Sequence, residues 1–299
     1  MLANALLLLA GLIWGGGFVA QQTAMDDIGP FLFMACRFGL AALAIIPLVI
    51  WETRTSQHHV SLRFRDIGPG MTVGFTFFAT MALQQLGILG TSVTNAGMLT
   101  GLYVVLTPLL AFVLMRDRIA RLVWPCAMLA FGGIWLLGGG GLTRLTWGDW
   151  LVAVSAVFAA LHVIAMGRAV KGLRRPALVA CVQFVVSASL AFICFGAARL
   201  WGTDFEPAIN AQLLLAAGPE ILYASLLAGA LAFTIMAFCQ QYTSASIAAV
   251  LMSSEALFAA LGGALFLSER LELLGYVGCA MLLTAIAVTS FATEAGDTR

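Results

Sequence analysis

Residues 84–122 (QQLGILGTSVTNAGMLTGLYVVLTPLLAFVLMRDRIARL) are similar to residues 240–274 (QQYTSASIAAVLMSSEALFAALGGALFLSERLELL). Each stretch has a Gln pair, a short break, an apolar run with polar residues midway along it, an acid–Arg pair and the start of another apolar run. Asp117-Arg118 in the first stretch matches Glu269-Arg270 in the second. The chain therefore contains an internal repeat, built from apolar runs of about 20 residues, which is the length that crosses a bilayer.

The composition excludes a water-soluble protein. Apolar residues make up 62% of the 299 residues, and Asp, Glu, Lys and Arg together make up 10%. A soluble domain has about 45–50% apolar and about 25% charged residues. The net charge of +1 gives no electrostatic reason to expect nucleic acid or an acidic protein as a partner. The sequence is that of a protein that crosses the membrane several times and has membrane lipid around it.

The apolar runs, divided at charges and at Pro/Gly clusters, predict about ten transmembrane helices. The runs are twice as long as the strands of a membrane barrel and show no polar alternation, so the predicted fold class is an all-α integral membrane protein. Most connections are short, which makes consecutive helices antiparallel neighbours. The predicted helices span residues 2–24, 30–51, 67–88, 92–115, 121–139, 149–170, 176–200, 218–241, 245–267 and 271–292.

A second internal similarity extends the repeat over the whole chain. FLFMACRFGLAALA (31–44) parallels ALVACVQFVVSASL (177–190), which places Arg37 opposite Gln183. Five helices are thus followed by five similar ones. Because five is an odd number, the second set enters the membrane from the opposite side, which makes an inverted repeat.

The repeat predicts one membrane domain made of two halves, a first five-helix repeat at residues 1–145 and a second at residues 146–299. An inverted pair offers two near-equivalent packings, one open to each side of the membrane. This is the usual construction of an alternating-access transporter, with the binding site between the halves near the midplane.

The distribution of basic residues predicts the orientation. If the N-terminus is cytoplasmic, only Arg144, Arg199 and Arg270 lie in outer segments. An even number of helices returns the C-terminus to the cytoplasm as well. The basic residues on the cytoplasmic side are then Arg54, Arg63, Arg65, Arg116, Arg118, Arg121, Arg168, Lys171, Arg174, Arg175 and Arg299.

Several short motifs resemble the drug/metabolite transporter superfamily, in particular its EamA-type ten-helix exporters. They are the opening GLIWGGGFVA (11–20) with Trp14, the pair Arg37-Phe38, and the acid–Arg segments MRDR (115–118) and LSER (267–270). The resemblance runs over about residues 2–292. It implies a transporter, secondary-active or facilitative, that exports small metabolites across a bacterial inner membrane. Aromatic amino-acid exporters belong to this group.

Glu255 is the polar residue that stands out most at membrane depth. It lies halfway along the ninth predicted helix, where an unpaired carboxylate would be costly. We expect it to act as a protonatable coupling residue or as the partner of a cationic substrate group such as an α-amine. A carboxyl group that is hydrogen-bonded only to Ser253, Ser254 or a neighbouring helix is the structural alternative. Tyr103 occupies the aligned position in the fourth helix.

His162 and Arg37 are the other polar candidates within helices. His162, in the middle of the sixth helix, is expected to hydrogen-bond a substrate carboxylate, to shuttle a proton, or simply to pack. Arg37 lies near the outer face and is expected to reach Asp26 or Asp27, or carbonyl groups of a neighbouring helix. An architectural role is favoured for Arg37.

Aromatic and polar residues at helical spacing predict the lining of a binding site. Rings beside Ser, Thr and Gln side chains suit a ligand that is part apolar and part zwitterionic. The candidates for substrate binding, besides His162 and Glu255, are Trp14, Phe18 and Gln21; Phe77, Thr80, Met81 and Gln84; Thr100, Tyr103 and Thr107; and Tyr223, Thr234, Gln241 and Met252.

The sequence predicts neither a cofactor nor a metal site. No G-x-x-x-x-G-K-[ST] loop is present, so ATP hydrolysis within this chain is excluded. No second His or Cys lies at ligand spacing from His162. Coupling would have to come from a substrate gradient or from protons.

The predicted substrate is a small molecule, an amino acid or another amphiphile. Hydrophobic or aromatic amino acids are the first choice because of the ring-rich lining, and lipophilic cations are the second because of Glu255. The alternatives from other classes are an integral-membrane enzyme that modifies lipids and a passive channel or scramblase. No paired carboxylates or His–acid pair supports the enzyme.

Overall fold

The computed structural model describes residues 2–55, 64–91, 93–139, 145–258, 260 and 272–297; the side chains of residues 18–19, 26, 64–66, 93–94 and 292–297 fall outside the description. All regular structure in these ranges is helical. The helices are α1 Leu2–Thr23, α2 Pro30–Thr55, α3 Phe64–Ile88, α4 Val93–Thr100, α5 Tyr103–Met115, α6 Val123–Leu137, α7 Trp147–Leu173, α8 Pro176–Leu200, α9 Ala211–Ala216, α10 Gly218–Cys239, α11 Ala245–Phe258 and α12 Leu273–Asp297.

The all-α membrane fold predicted from the sequence is confirmed, and the helix ends lie close to the predicted ones. Within the described ranges, eight helical segments are long and apolar enough to cross a membrane, with α4 and α5 together forming the segment Asn95–Met115. The helices α6 and α11 are apolar but shorter over their described residues. The count of ten crossings stays a prediction.

Local sequence signals explain where several helices begin. Pro30 and Pro176 start α2 and α8, where a fixed φ and a missing N–H cost nothing. Thr146 caps α7 through a capping box with Asp149: the Thr hydroxyl accepts from the Asp149 N–H at 3.1 Å, and the Asp carboxylate accepts from the Thr146 N–H at 2.8 Å. The α7 helix therefore begins two residues earlier than the apolar run alone predicts.

The packing joins the first and second halves of the chain. The α2 helix packs along α8, and α6 packs along α12. The α3 helix packs along α7, and α1 packs along α10. Each of these contacts links a helix before residue 145 to one after it, so the two halves bury their apolar faces against each other.

Two glutamates connect α2 and α8 at opposite ends. Glu52, in the last turn of α2, accepts hydrogen bonds from the N–H groups of Ala177 (2.9 Å) and Leu178 (3.1 Å) at the start of α8. Glu206, just after α8, accepts from the N–H groups of Phe31 (3.0 Å) and Leu32 (3.1 Å) at the start of α2. Each carboxylate thus satisfies the free N–H groups of the other half's helix and meets the positive end of its dipole.

The predicted helix spans leave both glutamates in connecting segments, but the structure buries them. Glu206 is fully buried and Glu52 is 7% exposed. Burial raises the pKa of the Glu206 carboxyl, against the opposing effect of the N–H groups of Phe31 and Leu32 and the nearby Arg199. The reason for the difference is that the partner N–H groups of each carboxylate lie far away in the sequence.

We expect Glu206→Ala to destabilise the protein by about 1–3 kcal/mol, because two buried N–H groups lose their acceptor. The measurement is thermal unfolding of the purified protein in detergent. Asp204→Ala removes an exposed carboxylate from the same segment and is the matched control, with little expected effect. Equal stability of the two variants would show that the contact with α2 contributes nothing.

Two glycines allow α6 and α12 to cross closely. A Cβ atom added to Gly278 would lie 2.5 Å from the carbonyl oxygen of Gly133 and 2.9 Å from the backbone nitrogen of Leu137. A Cβ atom added to Gly133 would lie 2.7 Å from the carbonyl oxygen of Gly278. The absence of both side chains brings the two backbones together, as is common in membrane helix packing.

Candidate functional site

A cavity with about 760 Å³ of space free of protein atoms, part of it open to solvent, lies between the two halves. Eight of the helices contribute side chains to it, whereas the described residues of α6, α8, α9 and α12 contribute none. The lining residues are Trp14, Gly17 and Gln21 from α1; Arg37 from α2; Phe77, Thr80, Met81 and Gln84 from α3; Thr100 and Tyr103 from α4 and α5; Ala159, His162 and Val163 from α7; Ala224, Ala228, Phe233 and Met236 from α10; and Met252 and Glu255 from α11.

Aromatic rings form a continuous wall of the cavity. The ring centroids of Trp14 and Phe233 are 4.7 Å apart, and those of Phe233 and Phe77 are 4.6 Å apart. The His162 ring follows at 5.1 Å from Phe77. These tilted and edge-to-face contacts fix the rings against one another and present a rigid apolar surface to a ligand.

The Trp14 indole is held by a wider turn of α10. Its Nε1–H donates a 2.9 Å hydrogen bond to the Ala228 carbonyl oxygen, which lies in the π-helical segment Tyr223–Leu231. Such turns occur often at functional sites. Tyr223, in the same segment, donates its hydroxyl to the Ile13 carbonyl at 2.7 Å, where Gly16 leaves room for the ring.

Glu255 and Tyr103 meet at the cavity. Both line the same cavity, which brings together the two positions that are aligned in the internal repeat. Tyr103 is buried, whereas Glu255 is partly accessible from the cavity. No basic side chain in the described part of the chain forms an ion pair with Glu255. The carboxyl group therefore keeps free acceptor or donor capacity toward a ligand.

Both residues stand next to interruptions in their helices. The chain between α4 and α5 tightens into i→i+3 hydrogen bonds, with the Leu102 N–H bonded to the Leu99 carbonyl and the Val104 N–H to the Gly101 carbonyl. The α11 helix is interrupted at Ser253, whose carbonyl accepts from the Ala256 N–H. Interrupted helices at membrane depth are typical of the substrate and ion sites of transporters, because they expose backbone and side-chain polar groups to a cavity.

His162 takes part in a buried hydrogen bond as well as in the wall. Its Nε2 lies 2.7 Å from the Oε1 of Gln183 in α8, and His162 is 4% exposed. Because an amide oxygen only accepts, Nε2 carries the proton and Nδ1 is the acceptor in the neutral ring. Gln183 thus fixes the orientation of the ring beside Phe77.

Arg37 lies in the cavity wall and is buried. Its Nη1 donates to the Gln21 Oε1 at 3.1 Å, and its Nη2 lies 3.9 Å from the Met81 sulfur. The guanidinium carbon lies over the rings of Phe33 and Phe38, at 5.3 and 4.6 Å from their centroids. The Asp26 side chain, one of its expected partners, falls outside the described residues.

The cavity brings together most of the side chains named from the sequence. Of the substrate-binding candidates, Trp14, Phe77, Thr80, Met81, Tyr103, His162, Met252 and Glu255 line it, as do Gln21, Gln84 and Thr100. Tyr223, Thr107, Thr234 and Gln241 do not line it, and the Phe18 side chain falls outside the description. Sequence reasoning missed Phe233 and Met236, because an apolar residue within an apolar run gives no local sign that it faces a cavity.

The sequence matches a known family over nearly its whole length. The model of the EamA-like transporter family matches residues 1–139 and again residues 146–291. The chain belongs to the EamA-like transporter family. An uncharacterized transporter of Archaeoglobus fulgidus is 30% identical to this EamA-like transporter over 288 residues, which cover 95% of the chain and 84% of the relative.

A second relative and a solved structure are also similar to the chain. The uncharacterized transporter YwfM of Bacillus subtilis is 25% identical over 293 residues, which cover 96% of this EamA-like transporter and 93% of the relative. A solved crystal structure has the same fold, with a TM-score of 0.76 at 17% identity, over 98% of this chain and 97% of the other. The resemblance to the EamA-type branch of the drug/metabolite transporters is confirmed. The chain is a multi-pass membrane transporter, in agreement with the expectation that it is not an enzyme.

Proposed function

We propose that the cavity is the substrate site of a secondary-active or facilitative transporter that exports small metabolites by alternating access. Hydrophobic or aromatic amino acids are the proposed substrates. The observation that carries this proposal is one cavity between the two halves that combines a wall of aromatic rings with the carboxyl group of Glu255. A ligand with an apolar body and a charged α-amine matches that combination.

The packing of the helices supports two inverted halves, residues 1–145 and 146–299. The contacts of α2 with α8 and of α6 with α12 pair matching helices of the repeat. Exchanging the halves converts the contact of α3 with α7 into that of α10 with α1. The reciprocal bonds of Glu52 and Glu206 follow the same two-fold relation. Two-fold related halves around one cavity can open it to either side in turn.

The orientation and the location are part of the proposal. The excess of Arg and Lys in the segments assigned to the cytoplasm supports cytoplasmic N- and C-termini. Arg168 and Asp117, which form a 3.2 Å ion pair, would then lie at the cytoplasmic end of the bundle. The family resemblance supports the inner membrane of a bacterium and transport out of the cell.

A lipophilic cation is the second candidate substrate. Glu255 beside the rings of Trp14 and Phe77 would attract an organic cation, through the carboxylate and through cation–π contacts. Arg37 in the same cavity argues against it, because a fixed positive charge repels a ligand that carries no carboxylate. Amino acids therefore stay the first choice.

Counterflow with the purified full-length protein in liposomes tests the proposed function. Liposomes loaded with unlabelled phenylalanine and diluted into a trace of labelled phenylalanine should accumulate the label transiently, because a carrier exchanges the two. Protein-free liposomes, and liposomes loaded with glutamate, are the controls and should accumulate none. Accumulation only with organic cations would support the second candidate, and absence of counterflow with every amino acid and cation would contradict the carrier.

A further inference from the structure

Arg37 is a buried positive charge without a carboxylate partner among the described side chains. It is 3% exposed, and the ion pairs in the described ranges join Arg168 to Asp117 and Arg175 to Glu52. A charge at this depth is costly and normally has a partner or a function. Because Arg37 lies in the wall of the cavity, a bound ligand could supply the missing negative charge.

The guanidinium also keeps unused hydrogen-bonding capacity. It has five N–H donors, but its polar contacts are one amide oxygen, from Gln21, and one sulfur, from Met81. Its Nε has no hydrogen-bond partner. Thioether sulfur is only a weak acceptor. The capacity that remains suits an anionic group.

The rings around Arg37 define the kind of anion. Phe33 and Phe38 lie against the guanidinium and hold it by cation–π contacts. The N–H donors point outward in the plane of the group, where a planar carboxylate can accept two parallel hydrogen bonds. Gln21, itself a cavity residue, fixes this plane from the side.

We propose that Arg37 binds the carboxylate of the substrate and selects for it. Glu255, on α11, offers an opposite charge at another part of the same cavity. A ligand with both an ammonium and a carboxylate group therefore fits two sites of opposite charge, while its side chain lies against Trp14 and Phe233. The inference rests on the proposed transport function, and it names the feature by which an α-amino acid is distinguished from the corresponding amine.

Counterflow of labelled phenylalanine by the full-length protein, with competing analogues, tests the inference. The competitors are phenethylamine, which lacks the carboxylate, and 3-phenylpropionate, which lacks the ammonium group. Wild type should be inhibited by phenylpropionate. The Arg37→Gln variant should lose that inhibition, and its apparent affinity for phenylalanine should fall at least about tenfold, while its affinity for phenethylamine is unchanged or higher. Arg37→Lys should recover part of the affinity, because it restores the positive charge but not the two parallel N–H donors of the guanidinium.

The outcomes separate this inference from the proposed function. Arg54→Gln removes an exposed charge from the same helix, away from the cavity, and should behave as wild type. If wild type transports no amino acid, the proposed function fails whatever Arg37 does. A second outcome is that wild type transports phenylalanine while Arg37→Gln keeps the same affinity for phenylalanine and the same inhibition by phenylpropionate and phenethylamine. In that case Arg37 does not bind the carboxylate. If Arg37→Gln does not give folded protein, the competition in wild type decides: a carboxylate without effect overturns the inference.

Discussion

Glu255→Gln is expected to abolish the pH dependence of transport while the protein still folds. Glutamine keeps the size of the side chain and its capacity for hydrogen bonds, but it cannot change its charge. If Glu255 carries the coupling proton, a proton gradient should no longer drive uptake into vesicles, whereas exchange of substrate against substrate should continue. The measurement is uptake of labelled phenylalanine into inverted vesicles or proteoliposomes over a range of pH, with and without an imposed gradient.

Two variants sharpen this test. Glu272→Gln neutralises an exposed carboxylate outside the cavity and should keep the pH dependence of wild type. Tyr103→Phe keeps the carboxyl group but removes the phenol hydroxyl from the same cavity, so it should shift the pH profile without abolishing it. An unchanged profile in Glu255→Gln would remove this residue from coupling. A fall in substrate affinity with an unchanged profile would assign it to the α-amine instead.

Gly278→Leu is expected to prevent accumulation of folded protein, and Gly278→Ala to cost about 1–3 kcal/mol of stability. Even the methyl group of alanine would meet the Gly133 carbonyl at 2.5 Å, and backbone atoms of a packed helix cannot move aside cheaply. The two helices would have to separate, which uncovers the apolar faces that join the halves. The measurements are the monodisperse fraction in gel filtration and thermal unfolding in detergent.

Gly132→Ala is the matched control for this crossing. Its Cβ would meet only the terminal methyl of Met281, at 3.0 Å, and that end of a flexible side chain can turn away. Gly132 lies in α6 next to Gly133, which contacts Gly278. Gly132→Ala should therefore leave the stability unchanged, or raise it slightly because alanine favours the helix. If Gly132→Ala and Gly278→Ala were equally stable, close approach of α6 and α12 would not be required.

The sequence predicted the helices well because hydropathy and helix ends are local properties. The apolar runs gave spans close to those of the structure, and Pro30 and Pro176 marked two starts. Glu255 and His162 were recognised because a polar residue within an apolar run is visible without any knowledge of packing. Which residues lie opposite them in the cavity, such as Phe233, depends on the face that each helix turns toward the cavity, and the sequence alone does not show that face.

Long-range partners could not be predicted from a single sequence. Glu52 and Glu206 look like ordinary residues of polar segments, since each binds N–H groups well over a hundred residues away. Arg37 was expected to reach Asp26, Asp27 or a carbonyl group, and its contacts with Gln21 and with the rings of α2 in the cavity wall were not predicted. In both cases the environment is created by the other helices of the bundle.

The π-helical turn in α10 determines which ring closes the aromatic wall. Side chains five positions apart point about 140° apart on an α-helix, which advances about 100° per residue. In a π turn, the backbone hydrogen bond joins residues i and i+5. The side chain at i+5 therefore points to nearly the same face as the side chain at i. Phe233 follows Ala228 by that interval, and both face the cavity. The wider winding before Phe233 is thus coupled to the position of the ring that contacts both Trp14 and Phe77.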